Sequence, residues 1–200
     1  MQFITFSGVD GSGKSTQLSL LKKKLEGEGK KVAYFHAVEF SLASRFKKKL
    51  VENHDGKAVT QASWLTILLR KLFLFIDLLR FRPYIASLHK QGYDYLLSDR
   101  YFYDTLINIE YLSKKTCHIP VIEAQFIIKP DLAFYFDLAP ETIMSRDRVP
   151  EQGIDYLRDK MKLFKTKIAR WDMILIDGSK PQESVFQDIL NKIEAVNEIV

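Results

Sequence analysis

The sequence predicts an α/β fold: a three-layer sandwich in which helices cover both faces of a five-stranded parallel sheet. Two observations lead to this prediction. Five short apolar segments with the composition of β-strands alternate with longer segments of helical periodicity. A glycine-rich turn joins the first of these strands to the first helix, as in a βαβ unit. Strands that alternate with helices in this way form parallel sheets covered on both faces.

The five predicted strands are short and are bounded by polar or glycine-rich positions. They lie at residues 2–7, 31–36, 93–98, 132–138 and 173–177. Between the first two, Leu18, Leu21 and Leu25 recur at helical spacing and predict a helix over residues 15–25. Gly27 and Gly29 would end that helix.

The length of 200 residues, without an internal repeat or a long linker, fits one domain over residues 1–200. Cys117 is the only cysteine and cannot form an internal disulfide, which favours a reducing compartment. The first strand begins within a few residues of Met1, and no signal-peptide pattern precedes it. These features predict a cytoplasmic protein.

The net charge of +5 is compatible with nucleic-acid binding or with a small polyanionic ligand. The lysines at residues 22–24 and 47–49 form short runs on segments with helical character, and such runs are usually solvated helix faces. No aromatic–basic RNA motif and no helix-turn-helix pattern is present in the sequence. We therefore expect no nucleic-acid partner.

Residues 64–81 are unusually apolar for a soluble helix. Arg70, Lys71, Asp77 and Arg80 interrupt the segment, so it contains no run of 18 uncharged residues and does not predict a membrane span. A helix that is apolar nearly all round is usually buried. The segment is expected to lie in the core or to support a homodimer.

A phosphate-binding pattern, Gly-x-x-x-x-Gly-Lys-Ser, follows the first predicted strand and opens the first helix. The glycines let the backbone approach phosphates closely, and the N–H groups of the loop and of the helix N-terminus point at the anion. The lysine neutralises phosphate oxygens, and the serine hydroxyl binds Mg²⁺. The sequence therefore predicts a phosphotransferase that holds ATP with Mg²⁺. Its phosphate-binding residues would be Gly8, Asp10, Gly11, Ser12, Gly13, Lys14, Ser15 and Thr16.

Residues 3–17, Phe-Ile-Thr-Phe-Ser-Gly-Val-Asp-Gly-Ser-Gly-Lys-Ser-Thr-Gln, closely resemble the opening of the thymidylate kinase family. The resemblance implies that Asp10 approaches the sugar of the acceptor nucleotide. Ser-Asp-Arg-Tyr at residues 98–101 resembles the Asp-Arg-Tyr/Phe motif of the family. By this resemblance Asp99 helps Ser15 to organise Mg²⁺, and Arg100 holds the phosphate of the acceptor.

Three further segments resemble the family in the expected order. Residues 130–137 resemble its fourth strand, and residues 143–156 resemble a shortened lid that carries arginines. Some members have a basic residue at the position of Gly11, and members without it place arginines on the lid. The resemblance therefore implies that Arg146 and Arg148 stabilise the transferring phosphoryl group. It also places the loop of Ser179, Lys180 and Pro181 beside adenine.

The implied reaction is transfer of the γ-phosphoryl of ATP to dTMP, which gives dTDP. The acceptor side departs from the family at three places. The second strand leads through His36 into Ala-Val-Glu-Phe-Ser where the family usually has Arg-Glu-Pro-Gly-Gly-Thr. The Phe-x-x-x-Arg pair that frames thymine is not clear, and Ile-Asn-Ile around Asn108 replaces Ala-Tyr-Gln. A kinase of another nucleotide, a nucleoside or a sugar phosphate, and a nucleotide-binding module without kinase activity, remain alternatives.

Overall fold

Five parallel strands form one sheet in the computed structural model, which describes residues 1–42, 63–116, 126–146 and 150–197. The strands are β1 (Gln2–Ser7), β2 (Val32–His36), β3 (Tyr95–Asp99), β4 (Leu132–Asp137) and β5 (Ile174–Asp177). Their order across the sheet is β2-β3-β1-β4-β5, and every neighbouring pair is parallel. The predicted α/β class and its five parallel strands are confirmed, with strand ends shifted by no more than two residues.

The helices of the described residues connect these strands and lie on both faces of the sheet. They are α1 (Lys14–Gly27), α2 (Ala37–Phe40), α3 (Trp64–Lys90), α4 (Phe102–Thr116), α5 (Pro140–Met144), α6 (Gly153–Lys165) and α7 (Gln182–Asn197). Helix α1 begins one residue before its predicted start and includes Gly27, and the chain reverses at Gly29, which has a φ of 77°. Glycine adopts this left-handed conformation without steric cost.

Alternation along the central strands divides the core into two layers. Phe3 of β1 and Leu96 of β3 face one side, where they pack with residues of α3, α4 and α6. Ile4 of β1 and Leu97 of β3 face the other side, with residues of α1 and α7. Because successive strand residues point to opposite faces, strands covered on both sides read as continuous apolar runs. The resulting arrangement is the predicted three-layer sandwich.

Helix α3 buries one face and leaves an apolar face exposed. The side chain of Ser63 caps its first turn by accepting a hydrogen bond from the Thr66 N–H at 3.3 Å. Ile67, Leu78 and Phe81 pack into the core. The large apolar side chains that remain exposed are Trp64, Leu65, Leu68, Leu69, Leu72, Phe75 and Leu79. Burial in the core of the chain therefore accounts for only part of the apolar character of the segment. Within the described residues, no helix is both long and apolar enough to span a membrane.

Candidate active site

The carboxyl ends of neighbouring strands meet at the edge of the sheet that carries the predicted site residues. β1 leads into the segment 8–15, called here the phosphate loop, while β2 ends at His36 and β3 ends at Asp99. The strand register sets both Phe6 and His36 beside Asp99. β1 connects to β2 on one side of the sheet, whereas its neighbour β4 connects to β5 on the other side. Open α/β sheets bind their ligands at such a switch point.

The backbone of the phosphate loop is folded tightly by glycines with positive φ. Gly8 has a φ of 144° and Gly11 a φ of 82°. A Cβ on Gly8 would lie 3.0 Å from the carbonyl oxygen of Phe136, and one on Gly11 would lie 2.8 Å from Cγ2 of Ile143. Both positions therefore require glycine for conformation and for space.

Lys14 opens α1 and reaches back over the phosphate loop. Its ammonium donates hydrogen bonds to the carbonyl oxygen of Val9 at 2.8 Å and to Oγ of Ser12 at 3.4 Å. Burial lowers the pKa of Lys14, while the negative charges of Asp104 and Asp10 oppose this shift. The ammonium is thus held where anions bound by the loop N–H groups would meet it.

Ser15 and Asp99 bring two side-chain oxygen groups together beside the phosphate loop. The Ser15 hydroxyl donates a hydrogen bond of 2.5 Å to Oδ2 of Asp99. Oδ1 of Asp99 is buried and has no hydrogen-bond partner among the described residues. Hard oxygen donors of this kind suit Mg²⁺, which usually keeps several waters and takes one or two protein oxygens beside substrate phosphates. The described residues contain no group of three or more His, Cys, Asp or Glu that could enclose a metal.

Asp10 and Arg100 form an ion pair across the mouth of the phosphate loop, through Nη2 of Arg100 and Oδ1 of Asp10. Arg100 has a φ of 59°, and its N–H donates to the carbonyl oxygen of Phe6 at 3.1 Å. Its carbonyl oxygen accepts from the Ala37 N–H, also at 3.1 Å. A non-glycine residue in this conformation is uncommon and is often found at functional sites. The hydrogen bonds on both sides hold Arg100 in place between β1 and α2.

Asp104, in the first turn of α4, is a buried residue that the sequence analysis did not identify. Its Oδ2 accepts a hydrogen bond from the Ser7 hydroxyl at 2.7 Å, and Oδ1 accepts from the Gly8 N–H at 3.4 Å. Burial raises the pKa of Asp104, while the charge of Lys14 acts in the opposite direction. The carboxylate therefore fixes the start of the phosphate loop from below.

Lys160 of α6 is a second residue that the sequence analysis missed. It is 3% exposed, and its ammonium donates a hydrogen bond to Oη of Tyr156 at 3.1 Å. Burial lowers its pKa to about 8, although the charges of Asp10 and Asp104 counteract part of this shift. One sequence signal was available, because helical spacing places Lys160 on the same face as Tyr156 and the buried Leu157.

The predicted lid lies over the phosphate loop where the structure describes it. Nη1 of Arg146 donates a hydrogen bond of 2.6 Å to the carbonyl oxygen of Gly11. This arginine thus reaches the loop position where some family members carry a basic residue. Arg148, the other predicted lid cation, lies outside the described residues.

The predicted donor-side loop follows β5 and contacts the phosphate loop through its backbone. A Cβ on Gly178 would lie 3.4 Å from the carbonyl oxygen of Ser12. Ser179 folds back, and its N–H and hydroxyl both donate to Oδ1 of Asp177. Lys180 points away from the phosphate loop and pairs with Asp188 at 2.7 Å, while Pro181 precedes α7. Ser15 and Thr16 are exposed at the start of α1.

The acceptor side contains two side chains whose roles the sequence left open. His36 is half-buried, and its Nδ1 has no hydrogen-bond partner among the described residues. Asn108 is half-buried on α4. Arg80, one candidate for framing a base, is held by Oδ1 of Asp77 at 2.7 Å and by the carbonyl oxygen of Phe40 at 3.3 Å. Its guanidinium also lies 4.6 Å from the centre of the Phe40 ring.

Comparison with known proteins agrees with this geometry along nearly the whole chain. The family model described as thymidylate kinase matches residues 6–189. A thymidylate kinase of Thermosipho melanesiensis is 31% identical over 206 residues, which cover 97% of this chain and 98% of that protein. A thymidylate kinase of Thermosipho africanus is 27% identical over 96% of this chain and 97% of its own length. A probable thymidylate kinase of Archaeoglobus fulgidus is 28% identical over 96% and 94%, respectively. The chain therefore belongs to the thymidylate kinase family.

Proposed function

We propose that this protein transfers the γ-phosphoryl group of ATP to dTMP and forms dTDP. One observation carries the proposal: in a chain of the thymidylate kinase family, three groups converge at one edge of the sheet. Lys14 lies over the phosphate loop, the Ser15–Asp99 oxygen pair lies at its base, and the Asp10–Arg100 pair lies at its mouth. These groups correspond to a triphosphate site, a metal site and an acceptor site.

The phosphate loop binds the donor through its backbone. N–H groups of the loop and of the α1 N-terminus surround the β- and γ-phosphates, and Gly8 and Gly13 let the chain approach them. Lys14 exchanges its hydrogen bonds to Val9 and Ser12 for phosphate oxygens, so the buried ammonium keeps hydrogen-bond partners when ATP binds. The segment 179–181 lines the adenine side, since its neighbour Gly178 packs against the loop.

Mg²⁺ bound with ATP would neutralise the charge that develops on the β- and γ-oxygens. Ser15 would hold the ion through its hydroxyl, and Asp99 would hold it mainly through water. The unpartnered Oδ1 of Asp99 supports this assignment, because a buried carboxylate oxygen without a hydrogen bond is costly in the absence of a ligand.

On the acceptor side, Arg100 binds the phosphate of dTMP as a planar fork, and Asp10 accepts a hydrogen bond from the sugar. The attacking atom is a phosphate oxygen that is already ionised at neutral pH, so little proton transfer is needed. Catalysis then consists of positioning and of charge neutralisation. Lys14, Asp99, Arg100 and the lid arginines supply these effects.

The segment 143–156 would act as a lid of the single domain. Arg146 already contacts the carbonyl oxygen of Gly11, so a small movement would bring its guanidinium to the transferring phosphoryl group. Arg148 is proposed as its partner in this role. A cation at this position stabilises negative charge that is greatest in the transition state.

The exposed apolar face of α3 supports a proposal about assembly. Seven large apolar side chains between Trp64 and Leu79 are exposed, and Phe126 packs edge-to-face on Phe75 with ring centres 5.4 Å apart. Contiguous apolar surfaces of this size usually mark interfaces. We propose that two copies pair through α3, because a self-complementary surface forms a closed dimer. Light scattering at micromolar concentration should give twice the chain mass, and a monomer would contradict the proposal.

A location in the cytoplasm is also proposed. Its support is the single cysteine in 200 residues, which gives the chain no internal disulfide to lose in a reducing compartment. Imaging of the protein fused to a fluorescent label in its native host would test this proposal.

An ADP-release assay with purified protein, ATP and Mg²⁺ tests the proposed reaction. The acceptors dTMP, dUMP, dGMP, thymidine and several sugar phosphates are compared at equal concentration. We expect turnover with dTMP and the appearance of dTDP, and no turnover in the Lys14→Ala variant. Turnover restricted to a sugar phosphate or a nucleoside would contradict the acceptor assignment. ADP release that no acceptor increases would contradict a kinase activity.

A further inference from the structure

We propose that Lys160 is a positioning residue for the acceptor: as the second counter-ion of Asp10, it keeps this carboxylate oriented when Arg100 turns to the acceptor phosphate. The inference rests on the proposed function and adds a residue from α6 to its site. Lys160 belongs neither to the phosphate loop nor to the proposed lid.

The position of Lys160 in α6 is the first observation. Its neighbours on the buried face of the helix are apolar, and its side chain is 3% exposed. An ammonium in such surroundings is costly unless carboxylates compensate it. An apolar residue would pack at this position without that cost, so the stability of the fold alone does not explain a lysine.

The orientation of the ammonium is the second observation. Tyr156, one helical turn earlier, accepts its hydrogen bond at 3.1 Å, and the ammonium lies 5.0 Å from the centre of the Tyr156 ring. Tyr156 is itself buried and packs edge-to-face on Tyr111 of α4. The ammonium of Lys160 is therefore held by a buried tyrosine that itself packs on α4.

The charges around Lys160 are the third observation. Of the cations that lower the pKa of Asp10, Arg100 acts most strongly, Lys160 is next, and Lys14 follows. Conversely, Asp10 is the carboxylate that acts most strongly on Lys160. The groups that act on the ammonium come from the phosphate loop and α1, from the residue after β3, from α4, and from α6 itself. They are Asp10, Lys14, Arg100, Asp104 and Tyr156.

This arrangement explains how Asp10 and Arg100, which pair with each other, can both bind one acceptor molecule. In the ligand-free structure they are paired with each other. A bound phosphate attracts the guanidinium of Arg100 and weakens that pair, which would leave Asp10 beside an entering anion. The ammonium of Lys160 then balances Asp10, so that its carboxylate stays ionised and accepts the hydrogen bond from the sugar.

The first test compares Lys160→Met with the wild-type protein in the dTMP assay. We expect the KM for dTMP to rise about tenfold, which is typical when a hydrogen bond to a charged acceptor is weakened. The KM for ATP should change less than about twofold. Lys160→Arg should restore most of the affinity because it keeps the charge. Lys162→Met, an exposed lysine of the same helix, is the matched control and should leave both constants unchanged.

A double-mutant cycle with Asp10→Asn shows whether Lys160 acts through Asp10. Asp10→Asn and Asp10→Asn/Lys160→Met should have the same KM for dTMP, since the lysine has no carboxylate left to orient. Additive losses in the double variant would overturn the inference, because they would mean that Lys160 supports the site in another way. In the wild-type protein the KM for dTMP should also rise as the pH increases through about 8, the pKa of Lys160. In Lys160→Met, the KM for dTMP should not rise in this pH range.

The outcomes separate this inference from the proposed function. If the wild-type protein phosphorylates dTMP and Lys160→Met has an unchanged KM, the inference fails and the function stands. If the wild-type protein does not use dTMP, the function fails, and carboxyl-carbon NMR of Asp10 still decides the pairing. A higher pKa of Asp10 in Lys160→Met supports the pairing, and an unchanged pKa overturns it.

Discussion

The donor side and the acceptor side of the site are built in different ways. The donor side is mainly backbone: a contiguous segment of eight residues that follows β1 and includes the first two residues of α1. The acceptor side is mainly side chains from separate parts of the chain, with Asp10 from the loop, Arg100 and Asp104 from the segment after β3, and Lys160 from α6. A loop of N–H groups binds any triphosphate, whereas converging side chains can be changed one at a time. The acceptor side is therefore the part of the site that can differ among relatives.

The largest expected effect falls on the donor side. Lys14→Ala removes the cation over the phosphate loop and should lower kcat by about 10³-fold or more, since charge stabilisation of the transferring group is lost. The fold should remain intact because the ammonium bonds only its own loop among the described residues. Steady-state kinetics and circular dichroism measure the two effects. Lys23→Ala, an exposed lysine of α1, is the control, and near-normal turnover of Lys14→Ala would contradict the assigned role.

The next effect tests the lid, which lies between the two sides. Arg146→Ala should lower kcat by about 10²-fold or more if its guanidinium reaches the transferring phosphoryl group, since arginine fingers contribute about 10³- to 10⁵-fold. Arg148→Ala is measured in parallel. Arg158→Ala is the matched control, because Arg158 pairs with Glu141 at 2.7 Å on the outside of the lid. If neither Arg146→Ala nor Arg148→Ala loses more than a few-fold, the lid arginines have no catalytic role.

The donor side and the acceptor side also differ in how much of each the sequence predicts. The phosphate loop is local, because its glycines and Lys14 follow one another along the chain and their spacing alone sets the geometry. The strand ends are predicted equally well, since Asp99 and Arg100 directly follow an apolar run. The five parallel strands and their helices follow from periodicity for the same reason.

Long-range packing accounts for what the sequence analysis missed. Helical spacing places Lys160 on the apolar face of α6, but a lysine there usually extends its ammonium to solvent, so this signal alone does not predict a buried charge. Only the packing of α6 beside α4 and the phosphate loop buries it. Asp104 is hidden similarly, since its partners Ser7 and Gly8 are distant in sequence. The apolar composition of α3 did not predict that only one face of this helix packs against the core.

A third prediction uses pH to test the buried charge on the acceptor side. Burial lowers the pKa of Lys160 from 10.5 to about 8, so between these values the unfolded chain binds one proton more than the folded chain. The free energy of unfolding must then rise with pH in this window, by about 1.4 kcal/mol per pH unit. Below pH 8 the contribution of Lys160 is constant.

Urea denaturation of the wild-type protein and Lys160→Met at pH 7, 8, 9 and 10 measures this contribution. The difference between the two proteins should change in favour of the wild type by about 2 kcal/mol between pH 8 and pH 10. The comparison cancels the effects of groups that both proteins share, among them Lys14, whose pKa burial also lowers, and Tyr103, whose pKa burial raises to about 12. A difference that does not depend on pH would show that Lys160 is not a buried charge.

The smallest expected effect concerns the base of the acceptor. In the proposed roles, Asp10 and Arg100 bind a sugar and a phosphate, which dTMP and dUMP share. Arg80 is held by Asp77 and by the carbonyl oxygen of Phe40. A site without free polar partners for a base discriminates weakly, so we expect the methyl group to contribute at the lower end of the roughly 1–3 kcal/mol that a methylene has in an apolar pocket. We therefore expect kcat/KM for dTMP to exceed that for dUMP by no more than about tenfold. Competition between the two nucleotides in one reaction, followed by separation of the diphosphates, measures this ratio directly.

A ratio of 10² or more would contradict the prediction and would mean that a thymine pocket is completed by residues other than Arg80. Arg80→Met distinguishes the two cases, because it should leave a small ratio unchanged and should lower a large one only if Arg80 leaves Asp77 to bind the base.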